Sequence, residues 1–359
     1  MLRSRSGRDG FETLSEQQLN FETSTVIGDK FRLAAIARPT FLDAGDASGN
    51  TSLRLGLAPS GSDLGANTAS GVGAEVQLSS ENFGLKVGTT PDGFLVQNAT
   101  LGLRLRPANG PFTVMFNRDV VHDTLLSYAG VKDPISGQIF GGVMSNALSL
   151  QGDWAGAESG VYARAGYQHL TGDHVQTNRR IDGGGGAWWR VLKTSDGTLT
   201  LGANLFGMKY DKNLRYFTLG HGGYFSPQRY VLFNIPVTWQ GTYNGRFDYS
   251  ITGGLGLQHI MEDDAPYFPL DASLQGRKGP VYTGVTQTGE HFSLRMDGGY
   301  RIAPHWTLGG FLDINNTRSY TNQSAGFYLR YIFREQPLVR DMSIPSLPDW
   351  TGGRQLGLP

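Results

Sequence analysis

Ser324-Ala325-Gly326-Phe327-Tyr328-Leu329-Arg330-Tyr331-Ile332-Phe333 decides the fold. Ala325, Phe327, Leu329, Tyr331 and Phe333 fall on one side of this stretch, and Gly326, Tyr328, Arg330 and Ile332 on the other. An apolar residue at every second position is the period of a β-strand, whose side chains alternate between two faces. The pattern recurs in Leu199, Leu201, Ala203 and Leu205 against Thr200, Gly202 and Asn204. It recurs again in Val231, Phe233, Ile235, Val237 and Trp239 against Leu232, Asn234 and Thr238. One face of each strand suits lipid and the other suits water, as in a transmembrane antiparallel β-barrel.

Connections between such segments fall into two classes. Short ones lie at Ala303 to His305, Tyr243 to Arg246, Thr194 to Gly197, Ala155 to Ser159, Pro107 to Gly110, Ser79 to Asn82 and Val26 to Lys30. Long ones lie at Ile260 to Glu290, Asp211 to Gln228, Val121 to Gly142 and Asp43 to Ser70, with shorter links on the same side at Asn315 to Thr321, Thr171 to Asn178 and Thr89 to Gln97. The classes alternate strictly, and in bacterial barrels short turns face the periplasm and long loops face outward. Radial repeats of a soluble propeller would not produce that alternation.

Parity then sets the strand count. Leu14 to Val26 runs down into a short turn, so a rising strand must precede it, and Leu2 to Ser6 with a turn at Gly7 to Gly10 supplies only the end of one. The expectation is an all-β up-and-down barrel of about sixteen strands over residues 1–333, with Met1 inside strand one and a periplasmic portion upstream. Sixteen strands enclose an aqueous channel. The N-terminus has no apolar core of a signal peptide, which in an exported chain points to a fragment or a processed form. Residues 334–359 carry Pro337, Pro345, Pro348 and Pro359 and lose the alternation, so they are expected to form a tail outside the sheet, anchored at the lumen or rim by Trp350.

Composition narrows the function. Charged residues are 17% of the 359, below the roughly 25% of soluble domains, and 51 glycines are about double the usual share. Lys+Arg and Asp+Glu both number 31, so no basic excess points to nucleic acid or to export of an acidic polymer. Cysteine is absent, which removes disulfides and thiolate metal sites. No motif suggests an enzyme or a cofactor. Gly-x-Ser-x-Gly and His-Glu-x-x-His are missing, and the seven histidines show no catalytic spacing. Glu262-Asp263-Asp264 is read as a solvated or cation-binding loop in preference to a glycosidase pair. Gly183 to Gly186 lacks the Lys-Ser/Thr of a phosphate loop and runs into Ala187-Trp188-Trp189-Arg190, so it is read as close packing within a strand. Trp188 and Trp189 must face opposite sides.

The richest loop reads Tyr210-Asp211-Lys212-Asn213-Leu214, then Thr218-Leu219-Gly220-His221-Gly222-Gly223-Tyr224-Phe225-Ser226-Pro227-Gln228. Adjacent rings at Tyr224 and Phe225 near the mouth offer platforms for a sugar. This loop resembles a pattern of the cellulose synthase operon protein C family. Gly88-Thr89-Thr90-Pro91 with Gly93-Phe94, Leu125-Leu126-Ser127-Tyr128-Ala129-Gly130, Lys132-Asp133, Gly141-Gly142-Val143 and Leu170-Thr171-Gly172 followed by Arg179 resemble it in the same order. Tyr267-Phe268-Pro269-Leu270 and the tail stretch Asp341-Met342 through Pro348-Asp349-Trp350 do so too. The chain departs from the pattern at His221, where a polar amide is expected, and in the nine residues beyond Trp350.

The resemblance implies a barrel in the bacterial outer membrane, surrounded by its lipids, that conducts nascent cellulose, a β-1,4-glucan, to the cell surface. It also implies an upstream periplasmic tetratricopeptide-repeat region and an inner-membrane cellulose synthase complex as partners. A general or sugar-selective porin, or an exporter of another polysaccharide, is the alternative. The loops 121–142 and 211–228 are expected to close the mouth, with Tyr128, Tyr210, Asp211, His221, Tyr224, Phe225, Gln228, Tyr267 and Phe268 as gate or polymer contacts.

Overall fold

The computed structural model describes residues 1–333 apart from 9, 29, 48–53, 60–61, 63, 108–109, 277–278 and 318–319. The tail, with the anchoring role expected of Trp350, lies outside the described residues.

Sixteen antiparallel strands close into a barrel. In chain order they are β1 (Leu2–Arg5), β2 (two segments, Leu14–Gln18 and Phe21–Ile27), β3 (Phe31–Asp46), β4 (Ala66–Ser79), β5 (Phe83–Thr89), β6 (Ala99–Leu105), β7 (Phe112–Val120) and β8 (Ile139–Ala155). The second half is β9 (Ser159–Asp173), β10 (Val175–Lys193), β11 (Gly197–Tyr210), β12 (Arg229–Tyr243), β13 (Phe247–Glu262), β14 (Val285–Ala303), β15 (Trp306–Asn316) and β16 (Thr321–Tyr331). Each strand pairs with its sequence neighbour, as a two-residue hairpin or a longer loop permits. The ring closes where β1 pairs with β16 from Leu2↔Ala325 to Arg5↔Asn322 and with β2 from Leu2↔Gln17 to Arg5↔Leu14. Closure satisfies the backbone groups that an edge strand would leave facing lipid.

The two faces separate as the alternation requires. Leu148, Leu150, Val161, Ile181, Leu205, Phe233, Leu255, Phe327 and Leu329 are exposed on the outer face. On the inner face Gln77, Asn117, Ser149, Asn204, Asn234, Thr238 and Gln258 are buried. Ladder partners share a face, so the register carries this division from strand to strand. Trp188 is 4% exposed on the inner face and Trp189 is 46% exposed on the outer face.

The glycine run packs closely. A side chain at Gly186 would meet the Asn204 Oδ1, the Tyr162 hydroxyl and the Ala203 carbonyl, all within 3.0 Å. Its absence lets Tyr162 donate a hydrogen bond to Asn204 across two strands.

The loop end differs most from the sequence expectation between β9 and β10. The link expected at Thr171 to Asn178 shrinks to His174, whose φ is 44°, because β9 and β10 continue as a hairpin beyond their neighbours. Three of the four largest loops shorten, to 47–65, 121–138 and 263–284, as strand residues extend past the apolar belt, and the fourth keeps its expected bounds, 211–228.

Candidate functional site at the loop end of the barrel

The barrel's hydrophobic core is not in its wall but in its mouth. Loop 121–138 turns inward and carries the helix α1 (Leu125–Ala129). Five residues are too few for a helix stable by itself, and two other effects hold it. Thr124 caps it, with its hydroxyl accepting from the Ser127 N–H while the Ser127 hydroxyl accepts from the Thr124 N–H. All five helical residues are also buried. Leu125, Leu126, Tyr128 and Ala129 pack with Phe11, Leu14, Leu42, Phe94, Phe140 and Phe217, drawn from β2, β3, β8 and three loops. Each large apolar side chain so buried contributes roughly 1.5–3 kcal/mol.

Loop 211–228 lies beside it, with His221 through Gln228 all buried. Polar contacts join the two loops. The Thr124 hydroxyl donates to the Gly223 carbonyl at 2.8 Å, and the Phe225 N–H donates to Asp123 Oδ2 at 2.8 Å. Gly223 has φ +68°, and a Cβ there would sit 2.8 Å from the Thr124 hydroxyl, so only glycine fits the conformation and the contact.

The far wall of the barrel holds the same loops. Arg3 donates to the His122 carbonyl at 2.9 Å and Arg5 to the Asp123 carbonyl at 2.8 Å, both from the inner face of β1. Loop 211–228 is fixed to loop 47–65 by the Gly56 N–H on the Phe217 carbonyl at 2.9 Å. The tip of β10 holds it through the Gln176 N–H on the Gly220 carbonyl at 2.8 Å. Arg215 reaches Glu262 at 2.6 Å. Glu262 is 4% exposed at the end of β13, so it differs from the solvated loop carboxylate that the sequence suggested. Asp263 and Asp264 are exposed.

The structure gathers most of the expected site residues here. Tyr224 is buried with its ring 6.0 Å from Tyr210 and its hydroxyl accepting from Asn178 at 3.1 Å. Phe225 meets Tyr230 and Tyr320 edge to face, at 5.9 and 5.8 Å. Their faces are therefore covered by protein. Tyr128 packs against Phe94 at 5.1 Å and against His122 at 4.1 Å. Gln228 accepts from the Asp263 N–H at 2.8 Å and donates to the Ser226 carbonyl at 2.9 Å. Tyr267 stacks on Tyr282 at 4.1 Å, and Tyr282 stacks on Tyr216 at 3.6 Å, joining loops 211–228 and 263–284. Phe268 is half-buried beside them and Asp211 is exposed at the rim.

His221 sits inside this aromatic group, with Tyr216 and Tyr282 edge-on at 5.5 and 5.7 Å. Its Nε2 lies 2.9 Å from the Pro266 carbonyl, which can only accept, so Nε2 carries the proton. Burial pushes its pKa down to about 4, because the imidazolium would be desolvated with only that carbonyl to compensate.

Below the plug, the inner wall has two kinds of lining. From β1 to β10 it carries opposite-sign pairs: Arg3–Glu16 at 3.2 Å, Arg38–Glu75 at 2.9 Å, Lys86–Asp119 at 2.6 Å and Arg180–Asp182 at 3.1 Å. From β9 to β13 the inner face carries Tyr162, Thr200, Asn204, Asn234, Thr238 and Thr252, interspersed with the charged Arg164, Arg190 and Asp248. In the four pairs opposite charges cancel locally, and among the described residues the inward charges are of both signs. Uncharged hydroxyls and amides suit a neutral, hydroxyl-rich solute.

Sequence reading did not single out Arg3, Arg5, Asp123, Thr124 or Arg215. The Thr124-x-x-Ser127 spacing is a helix-start signal, but nothing local marks partners more than a hundred residues away.

Comparison with known proteins follows this geometry. The family model "Cellulose synthase operon protein C C-terminus" matches residues 12–334. A cellulose synthase operon protein C of Pseudomonas fluorescens (strain SBW25) is 33% identical over 97% of this chain and 27% of its own length. The protein of that name from Xanthomonas axonopodis pv. citri (strain 306) is 36% identical over 81% of the chain and 20% of its own length. The chain thus spans about a quarter of the length of these relatives. Among solved structures, a bacterial polysaccharide outer membrane secretin superposes with a TM-score of 0.54 over 93% of this chain and 97% of its own, at 10% identity. That likeness is one of fold.

Proposed function

The chain belongs to the cellulose synthase operon protein C family, matching its C-terminal region, and from that premise we propose that it is a gated outer-membrane conduit for nascent cellulose. The observation that carries the reading is the plug: loops 121–138 and 211–228 fill the mouth of a barrel whose inner face below them sets hydroxyls and amides among charges of both signs. A sixteen-strand pore left open would leak small solutes. A neutral glucan needs hydroxyl and amide partners along its path and no ion filter. The polymer would enter from the short-turn end and leave through the loop end once the plug moves aside.

In this reading Tyr128, Tyr210, His221, Tyr224, Phe225 and Gln228 act as gate residues, since their side chains are engaged by other protein groups while the plug is seated. Tyr267 and Phe268 brace the neighbouring loop. A periplasmic tetratricopeptide-repeat region and the inner-membrane synthase complex would deliver the polymer.

Deleting Thr218 to Gln228 should raise single-channel conductance in planar bilayers. Unchanged conductance would sink the gate. Removing the whole barrel from the secreting cell should abolish surface cellulose, and secretion at the normal level would sink the export reading.

A further inference from the structure

The outer face of the wall carries an arc of cations at the loop end. Arg118 on β7 is registered with Asn146 on β8, Asn146 with His169 on β9, and His169 with Arg179 on β10. Lys209 on β11 is registered with Ile181, and Arg229 on β12 with Met261. Registered residues share a face, and the neighbours of Asn146, His169, Arg179 and Arg229 two positions nearer the membrane centre are exposed and apolar: Leu148, Tyr167, Ile181 and Val231. Arg118, Arg179, Lys209 and Arg229 therefore point away from the lumen, directly above the lipid-facing belt. Five strand intervals at about 4.8 Å give the arc a length of roughly 24 Å.

These charges are not consumed within the protein. Among the described residues no ion pair includes Arg118, Arg179, Lys209 or Arg229. Arg118 donates to Asn146 Oδ1 at 2.9 Å, a neutral partner, and Arg179, Lys209 and Arg229 are exposed. The acids nearby are Asp173, paired with His174 at 2.9 Å, and the exposed Asp211 and Glu290. The opposite wall differs. Ser4, Ser15, Gln17, Gln323 and Thr321 occupy the outer face of β1, β2 and β16. The asymmetry is not what a barrel needs merely to be soluble at its rim.

We propose that this arc, on β7 to β12, binds the phosphate groups of a phosphorylated lipid headgroup in the outer leaflet. An apolar surface below and unpaired guanidinium and ammonium groups above match a molecule with acyl chains below and phosphate above. Arginine meets phosphate with two parallel donors. The surface fixes one side of the barrel in the leaflet and leaves the β16–β2 side without such contacts. The inference rests on the outer-membrane placement and is independent of what the lumen carries.

The test uses the whole chain folded in zwitterionic micelles and titrated with fluorescent diphosphoryl lipid A. Arg179→Gln, Lys209→Gln and Arg229→Gln combined should weaken binding about a hundredfold. Arg179→Lys with Arg229→Lys should retain most of it. Dephosphorylated lipid A should bind the unaltered chain no better than diphosphoryl lipid A binds the glutamine variant, and inorganic phosphate should not displace the bound lipid. Acetylation of Lys209, followed by mass spectrometry on the unaltered chain, should slow when diphosphoryl lipid A is added, which requires no variant to fold. Equal binding by the glutamine variant, equal binding of the dephosphorylated lipid, displacement by inorganic phosphate, or an unchanged Lys209 acetylation rate would each overturn the proposal. None of these results bears on cellulose secretion.

Discussion

Arg5, in the four-residue strand that closes the barrel, donates from Nη1 to the backbone carbonyl of Asp123 at 2.8 Å, 118 residues further along the chain. Arg5 is 7% exposed and its guanidinium also lies over the Tyr320 ring at 4.0 Å. The strand that seals the wall therefore also holds loop 121–138. Arg3 repeats the arrangement one step along on the His122 carbonyl. A guanidinium donating to a carbonyl in a site with little water is among the stronger hydrogen bonds available to a loop.

Arg5→Ala should loosen the plug without opening the wall, because the β1 ladder is made by backbone groups. Losing a hydrogen bond from a charged donor costs about 1.5–3 kcal/mol, or a tenfold or larger rise in the open fraction. Planar-bilayer recordings read this as more frequent openings. An open probability equal to that of the unaltered chain would show that this contact carries no load.

If the loops gate the pore as proposed, His221 should make closure sensitive to acid. Its folded pKa, about 4, lies below the ordinary 6.5, so the seated plug binds the proton less readily than the released one. The contribution of a neutral His221 to closure is thus complete above pH 6.5 and is lost as pH falls through that value toward about 4. Open probability should rise between pH 7 and pH 4.5. His221→Gln keeps a donor for the Pro266 carbonyl without a titrating ring and should flatten that rise.

Gly186→Val should distort the lower wall. Its Cβ would meet the Ala203 carbonyl at 2.7 Å, a backbone atom that cannot step aside, as well as the Tyr162–Asn204 pair. Overpacking of this kind costs about 1–3 kcal/mol. The folded form should convert to the slow-migrating unfolded band at a lower temperature in semi-native electrophoresis. Val at the outer-facing Gly253, where a Cβ meets nothing within 4 Å, should have little effect.

Trp188 and Trp189 provide a direct reading of the strand faces. In single-tryptophan variants, brominated acyl chains should quench Trp189, which is 46% exposed on the lipid side, and spare Trp188, which is 4% exposed on the inner side. Reversed quenching would mean that β10 is shifted by one residue, since a slip of one exchanges every side chain between faces.

The sequence by itself determined the wall. Ser324 to Phe333 shows its faces without help, because the alternation of a strand is a local property and a lipid surround penalises any exception on one side. Turn and loop parity placed Leu2–Arg5 as a strand that must exist, and the ladder from Leu2↔Ala325 to Arg5↔Asn322 is where the ring closes. The family pattern located the mouth, since its motifs lie in the loops that meet there. Tertiary structure alone decided what those motifs do to one another. Tyr224 and Phe225 read as open platforms in a linear loop and are covered by Tyr210, Tyr230 and Tyr320 once the loop folds inward. Glu262 read as one of three solvated acids and became the buried partner of Arg215. The physical reason is range. A strand's pattern is set by neighbours two residues away, whereas a plug is built from loops whose partners are brought together only when the barrel has closed around them.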